Sequence, residues 1–498
     1  LPDSDSSENG AFSITPSEIE ALSFKPFPHQ VEAISYGLDP EHEKWLNLSS
    51  MGLGKTLEII GLAETLKRRG LIERCLIVCG VDSLRQNWKR EIGRFSSMGC
   101  RVLGEKVSAK GNVTYAKMED RAKEIKAGIP EFFVIVNAAT LRSDAVIDAL
   151  RKREGDYGMI AVDEIHRFAT ATSQQGANLL KLRAKYKVGA TGTMLINSPL
   201  SCYVPLKWTE NDWSTLTNFK SAYCEFGGFQ NHQIVGYKNL DALRDQIESC
   251  SIRKTLDQVR DDMPPKTVTY ELVEPSDEHR RFYEAIVAGV KSEADKIKLN
   301  ASNLLALTTR LRQATSCPSA LTSQRIKSTK LERCEEIVRD LAESGEKVVV
   351  MSNFKDAVYE LAESLADLNP LVGTGDEKDQ DVQIRVDSFQ SDPAKKVFLA
   401  TAQKIGTGYT LNAASYCVMI DTAWTDASFQ QACDRIWRVN NDRPAFITVL
   451  ECRDTIDERV REIVESKKSL ADYVIDGADN GVAEDSLAKE LRRIIAAL

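Results

Sequence analysis

The sequence predicts an α/β fold built as two parallel-sheet lobes in tandem, with helical insertions. Three observations carry that expectation. Short apolar runs alternate with helix-period segments over two separate stretches, roughly residues 24–200 and 340–455, the pattern of strands covered on both faces by helices. The stretch between them reads mainly as helical, broken at Pro264-Pro265, with one strand-like run at 267–273. The length of 498 residues suits about three domains of ~150 residues, or two large ones with insertions.

Taken in order, residues 1–23 form an N-terminal segment. In it Thr15, Pro16 and Glu18 stand at the cap, first and third positions of a short helix, a capping box. The first lobe, 24–200, has strand candidates at 45–48, 75–79, 132–136, 159–162 and 186–189. Residues 201–340 are the helical insertion and connection. The second lobe, 341–475, has candidates at 347–351, 397–401, 416–419 and 445–450. A Gly- and Asp-rich linker follows at 476–485. Leu487, Leu491, Ile494, Ile495 and Leu498 then repeat at helical spacing. That helix, 486–498, is expected to dock on its own chain or, in the alternative, on a protein partner.

Composition narrows the class. Hydrophobic residues make up 42% and charged residues 28%, too apolar for a disordered chain. No apolar run nears the ~18 residues of a membrane span, so no membrane is expected. The polar, acidic start is no signal peptide, and without an initiator Met the chain is expected to be a processed or trimmed product. The 11 cysteines include no CxxC pair, which argues against zinc ligation and a disulfide framework; a reducing intracellular compartment is expected. A net charge of −8 argues against a generally basic surface. It leaves room for a local track that grips phosphates through backbone amides.

Two constellations carry chemistry. Ser49-Ser50-Met51-Gly52-Leu53-Gly54-Lys55-Thr56 follows a strand and opens an apolar-periodic helix. Glycines there let N–H groups turn toward phosphate oxygens at a helix N-terminus. Lys55 would reach the β- and γ-phosphates of ATP and Thr56 would ligate Mg²⁺. The strand 159–162 ends in Asp163-Glu164-Ile165-His166. Asp163 would hold Mg²⁺ through its waters, and Glu164 would orient and deprotonate the attacking water. In the second lobe Arg435 and Arg438 share one helix face, where they would stabilise the γ-phosphate as it leaves.

In this order the motifs resemble those of superfamily 2 helicases, specifically the Swi/Snf type with a DEAH-like box. Phe27-Pro28-His29-Gln30 resembles the adenine-reading glutamine motif, and Met51 to Thr56 is the family's MGLGKT spelling. The run 76–79, with Ser83, Asn87 and Trp88, resembles the first nucleic-acid motif. The DEIH box is followed by Thr191-Gly192-Thr193 and Asn197, similar to TGTPxxN with Met194 in place of Pro. Leu311-Arg312-Gln313 resembles an LRQ stretch. Gln431, Arg435 and Arg438 match QAxxRxxR, and Thr401 with Gly406-Thr407-Gly408 fits part of the glycine motif. Two departures stand out: Ser49-Ser50 replace the usual Asp-Glu, and Ile405 and Thr410 stand where Gly and Asn are usual.

The resemblance implies two RecA-like lobes that hydrolyse ATP, with Mg²⁺, in the cleft between them. It implies nucleotide contacts at Gln30, Met51, Gly52, Leu53, Gly54, Lys55, Thr56 and Gly408, with Gln431 joining the arginines. Nucleic-acid contacts are implied at Ser83, Asn87, Thr140, Asn353 and Thr401, and coupling at His166, Thr191, Gly192 and Thr193. For Trp88 and Trp424 core packing is the favoured expectation. The implied activity is that of an ATP-dependent translocase or remodelling motor tracking double-stranded DNA independently of sequence. The alternative is a strand-separating DNA or RNA helicase, and a third possibility is a catalytically weak, ATP-gated clamp.

Overall fold

The computed structural model describes residues 12–80, 84–108, 113–192, 194, 199–227, 233–259, 265–296, 301–324, 326–406, 409–421, 426–437 and 443–461. They divide into two compact units. One comprises the described residues within 1–225 and 237–261, the other those within 226–236 and 262–498. Two parallel α/β sheets result, the fold class the sequence predicts.

The first unit is built on strands β1 (Lys44–Asn47), β2 (Cys75–Cys79), β3 (Cys100–Val102), β6 (Phe133–Asn137), β7 (Met159–Asp163), β8 (Tyr186–Ala190) and β11 (Ser251–Ile252). Hairpin strands β4 (Glu105–Val107) and β5 (Val113–Tyr115) interrupt that series; the separate pair β9 (Cys224–Gly227) and β10 (Gln233–Tyr237) is divided in sequence, with 226–227 and 233–236 assigned to the second unit. The sheet order is β11-β1-β8-β7-β2-β6-β3, with every pairing parallel. Strands β2, β6 and β8 are buried at every residue. That explains their unbroken apolar runs: helices cover both faces of such a sheet. The helices that matter here are α1 (Pro16–Glu20), α2 (Pro28–Leu38), α3 (Lys55–Arg68) and α4 (Leu84–Phe95). On α4 the buried Leu84, Trp88 and Ile92 recur every four residues and join the core. The capping box of α1 forms: Thr15 Oγ1 accepts from Glu18 N, and Thr15 N donates to Glu18 Oε2 at 2.8 Å.

The second unit holds strands β12 (Lys266–Val273), β13 (Val348–Ser352), β14 (Leu371–Gly373), β15 (Val397–Thr401), β16 (Tyr416–Met419) and β17 (Ala445–Cys452). Their order is β12-β17-β16-β13-β15-β14, again parallel throughout. A buried polar knot ties its helices together. Lys330 Nζ donates to Asp457 Oδ2 at 2.6 Å, Thr315 Oγ1 to Asp457 Oδ1 at 3.1 Å, and Cys452 N to Asp457 Oδ2 at 3.0 Å.

Residues 201–340 supply helices, as the periodicity suggests, and an edge strand to each sheet: β12 in the second, where the run 267–273 is expected, and β11 in the first, where no strand is expected from the sequence. All eleven cysteines are free and all but Cys100 are buried. Among the described residues no helix is long and apolar enough to cross a membrane. The linker 476–485 and the helix expected at 486–498 lie outside the described residues.

Candidate active site

The phosphate loop occupies the turn from β1 into α3. Gly52 and Gly54 both have positive φ, 82° and 84°, a region in which L side chains are strained. At Gly54 a Cβ would also collide with the Gln30 amide. The cradle is therefore set by backbone shape, with α3 presenting its N-terminal N–H groups to an anion. Lys55 Nζ donates to the carbonyls of Ser49 at 2.6 Å and Ser50 at 3.0 Å, which folds its ammonium back over the loop. Thr56 follows, half-buried, in the first turn of α3.

Two outer layers hold this loop. Gln30, buried on α2, accepts from Phe27 N at 3.0 Å and donates to Leu53 O at 3.1 Å. His29 Nε2 also meets Leu53 O at 2.9 Å. The expected adenine reader is thus bonded to the phosphate loop itself. On the other side Ser50 N donates to Lys254 O at 2.8 Å, and Lys254 N to Ser49 Oγ at 3.3 Å, so the chain just beyond β11 braces the loop. Nothing in the residue pattern announces this brace, because β11 is two residues long and has no period to read.

The carboxylate pair stands at the end of β7, two strands from β1 in the sheet order. Glu164 has φ 55° and ψ 50°, the left-handed region that a non-glycine residue seldom occupies. Two groups hold one oxygen of its side chain. His166 Nδ1 lies 3.1 Å from Glu164 Oε2, and Thr191 Oγ1 donates to the same oxygen at 3.4 Å. His166 Nδ1 and Thr191 Oγ1 are 2.8 Å apart. The box and the TGT motif therefore meet at Glu164. Gly192 lies against Met51: a Cβ there would come within 2.7 Å of Met51 Cγ.

Burial opposes ionisation of both acids, and their surroundings divide them. Around Glu164 the hydrogen bond and charge of His166, with Lys55 and Arg167, outweigh burial and hold the carboxyl below its usual range. For Asp163 burial dominates and the Glu164 charge adds to it, pushing the carboxyl up against the opposing pull of Trp88 and Lys55. The Trp88 indole Nε1 donates to Asp163 Oδ2 at 2.8 Å. From the sequence, core packing is the favoured expectation for that ring. It does pack in the core, and its polar edge reaches the site as well.

The donors suit Mg²⁺. Among the described residues no cluster of three or more His, Cys, Asp or Glu side chains could hold a metal unaided. One hydroxyl and one carboxylate match a cation that keeps several waters and binds substrate phosphates. Thr56 and Asp163 would be its protein donors.

The remaining sequence-derived candidates are distributed as follows. Asn87 is half-buried on α4. Thr140 is buried, its hydroxyl between Asn137 and Arg121 Nη1, the latter at 2.8 Å. Asn353 N donates to Asp421 Oδ1 at 2.9 Å, and its amide bonds the same carboxylate. Thr401 stands at the N-cap position of the helix Ala402–Ile405 without a side-chain capping hydrogen bond. Arg435 is buried, donating to Gln431 O at 2.8 Å and Tyr409 O at 3.2 Å; Gln431 is half-buried. Ser83, Thr193, Gly408 and Arg438, with Asn197 and Trp424, lie outside the described residues.

A phosphate loop after β1 and an acidic pair at the end of β7, two strands away in one parallel sheet, with a second parallel α/β unit downstream, define a helicase-type ATPase. Residues 29–320 match the family model of the SNF2-related domain, and residues 329–440 that of the helicase conserved C-terminal domain. The chain belongs to the SNF2-related family. It is 25% identical to an uncharacterised ATP-dependent helicase of Mycoplasma genitalium, over 84% of this chain and 39% of that protein. It is 22% identical to ATP-dependent helicase FUN30 of Saccharomyces cerevisiae, over 91% and 48%. To the human DNA repair and recombination protein RAD54-like it is 23% identical, over 90% and 66%. The chain thus spans less than half the length of the first two relatives. Among solved structures, the Sulfolobus solfataricus SWI2/SNF2 ATPase core in complex with dsDNA aligns over 95% of this chain and 97% of that one, at 20% identity and a TM-score of 0.40.

Proposed function

We propose that the chain is an ATP-driven motor that tracks the backbone of double-stranded DNA. The observation that carries the chemistry is Glu164, whose backbone is left-handed and whose carboxylate is held by His166 and Thr191 beside Asp163. A group fixed at that backbone cost is positioned for a task, and an ionised carboxylate there is the base for the attacking water. Lys55 now rests on two loop carbonyls. A β,γ-phosphate would replace them as its partner, and the α3 N-terminus would receive the remaining charge. Mg²⁺, when bound, would neutralise phosphate charge; Thr56 and Asp163 would hold it. Arg435 and Arg438 with Gln431 are assigned to the leaving γ-phosphoryl group on their match to QAxxRxxR.

Duplex DNA as the track draws support from the MGLGKT and QAxxRxxR spellings and from relatives named for DNA repair and recombination. Contacts through backbone and short polar side chains such as Asn87 and Asn353 would be indifferent to sequence. They also suit a chain of net charge −8. The test is ATP turnover with duplex DNA, single-stranded DNA and RNA. Duplex DNA should stimulate most. Stimulation by single strands or RNA alone would identify a strand-separating helicase instead, and no turnover with any polynucleotide would leave a clamp.

A further inference from the structure

Trp88 is buried in the first unit's core, and its N–H is bonded to a carboxylate. Two other indoles, those of Trp45 and Trp208, are buried with no hydrogen-bond partner, so an indole in this protein has no need of a polar partner to be packed. The ring of Trp88 is fixed by α4 and the sheet beneath it, with Leu84 and Ile92 on the same helix face. Its N–H therefore points in one direction, at Asp163 Oδ2, 2.8 Å away. The other groups acting on that carboxyl to stabilise its charge are the Glu164 N–H and the Lys55 ammonium. Both belong to the box and the phosphate loop. Trp88 comes from a different element.

We propose that Trp88 is a positioning residue for Asp163, fixing the carboxylate plane through its indole N–H so that the site takes up Mg²⁺ with its nucleotide. The proposal rests on the assignment of Asp163 to Mg²⁺. It also gives α4, which carries Asn87 one residue away, a direct hold on the metal-binding group. A metal ligand's orientation is commonly set by a hydrogen bond behind it, and loss of that bond weakens metal affinity by roughly ten- to a hundredfold.

Trp88→Phe keeps an aromatic ring in the core and removes the N–H. Binding of a fluorescent ADP is measured in EDTA and then against rising free Mg²⁺, for wild type, Trp88→Phe and Asp163→Asn. The expected result is unchanged binding in EDTA for Trp88→Phe, with the Mg²⁺ midpoint raised about tenfold. An unchanged midpoint in folded Trp88→Phe, while Asp163→Asn loses the metal response, overturns the proposal. If Asp163→Asn keeps the full metal response, the assignment of Asp163 has failed, and the proposal with it. A second readout covers a Trp88→Phe that does not fold. In wild type labelled with ¹⁵N-tryptophan, one of the six indole N–H signals should move when Mg²⁺ joins bound ADP, and Asp163→Asn should shift that same signal. No indole signal responding to either change overturns the proposal.

Discussion

Glu58 lies in the first turn of α3, two residues past Thr56, and it is buried. Its Oε2 accepts from Asn47 Nδ2 at 2.5 Å, and Asn47 Oδ1 in turn accepts from Ser49 N at 3.2 Å. Burial raises the Glu58 carboxyl from 4.5 to about 7, against the smaller opposing effects of Asn47 and Lys55. Between those two values the folded state binds more protons than the unfolded state, so this group's contribution to stability falls as pH rises. Above pH 7 the loss is complete, at roughly 3 kcal/mol. Glu58→Gln has no proton to lose. It should match wild type near pH 4.5 and melt higher by pH 8, which thermal unfolding across that range checks. At the same scale, Lys55→Ala should lower ATP turnover ~100-fold or more. Glu164→Gln should bind ATP with near wild-type affinity and turn it over ~100- to 10,000-fold more slowly. A steady-state assay paired with nucleotide binding separates the two. The sequence made Lys55, Asp163 and Glu164 legible because phosphate chemistry fixes their types and spacing. It gave no hint of Trp88 as a partner of Asp163, 75 positions away, since an aromatic on an apolar helix face satisfies packing by itself.

The second unit's helices depend on one acid. Asp457 receives Lys330, Thr315 and the Cys452 N–H, joining the helices Thr329–Glu343 and Ala301–Ser316 to the end of β17. Asp457→Ala leaves Lys330 buried and unpaired, at a cost of about 3–5 kcal/mol. The pair Asp457→Leu with Lys330→Met should recover much of that, because two apolar side chains need no partner. Denaturant unfolding of the three proteins would show it, and an unaltered midpoint for Asp457→Ala would refute the role. Central strands were legible from their apolar runs: β2, β15 and β16 have the expected ends, and β6 is displaced by one residue. The edges were not. Strands β3, β11 and β14 have three residues or fewer, too short to express a period. Their assignment depends on pairing partners far along the chain.

Each unit has its own sheet, and the phosphate loop, the acidic pair and Trp88 all belong to the first. A fragment ending at residue 261 should therefore fold and bind nucleotide. On the proposed role of the arginine motif, which this fragment lacks, it should show almost no turnover. A fragment ending at residue 200 loses β11 and the Lys254 brace and should bind worse; calorimetry on both distinguishes them. For the full chain, DNA affinity should fall with salt at a log–log slope near −0.9 per phosphate contacted, and hardly vary with duplex sequence. Strong preference for one sequence would instead mean base-edge readout. The brace has a further consequence, for which substitutions evolution can accept. At Ser50 both bonds to neighbours run through the main chain, N–H to Lys254 and carbonyl to Lys55. At Ser49 the backbone N–H and carbonyl bond Asn47 and Lys55, while the side chain only accepts from Lys254 N, as an aspartate also can. These two positions can drift from the family's acidic spelling without disturbing the loop, because every peptide bond carries the groups Ser50 uses and any short acceptor serves at Ser49.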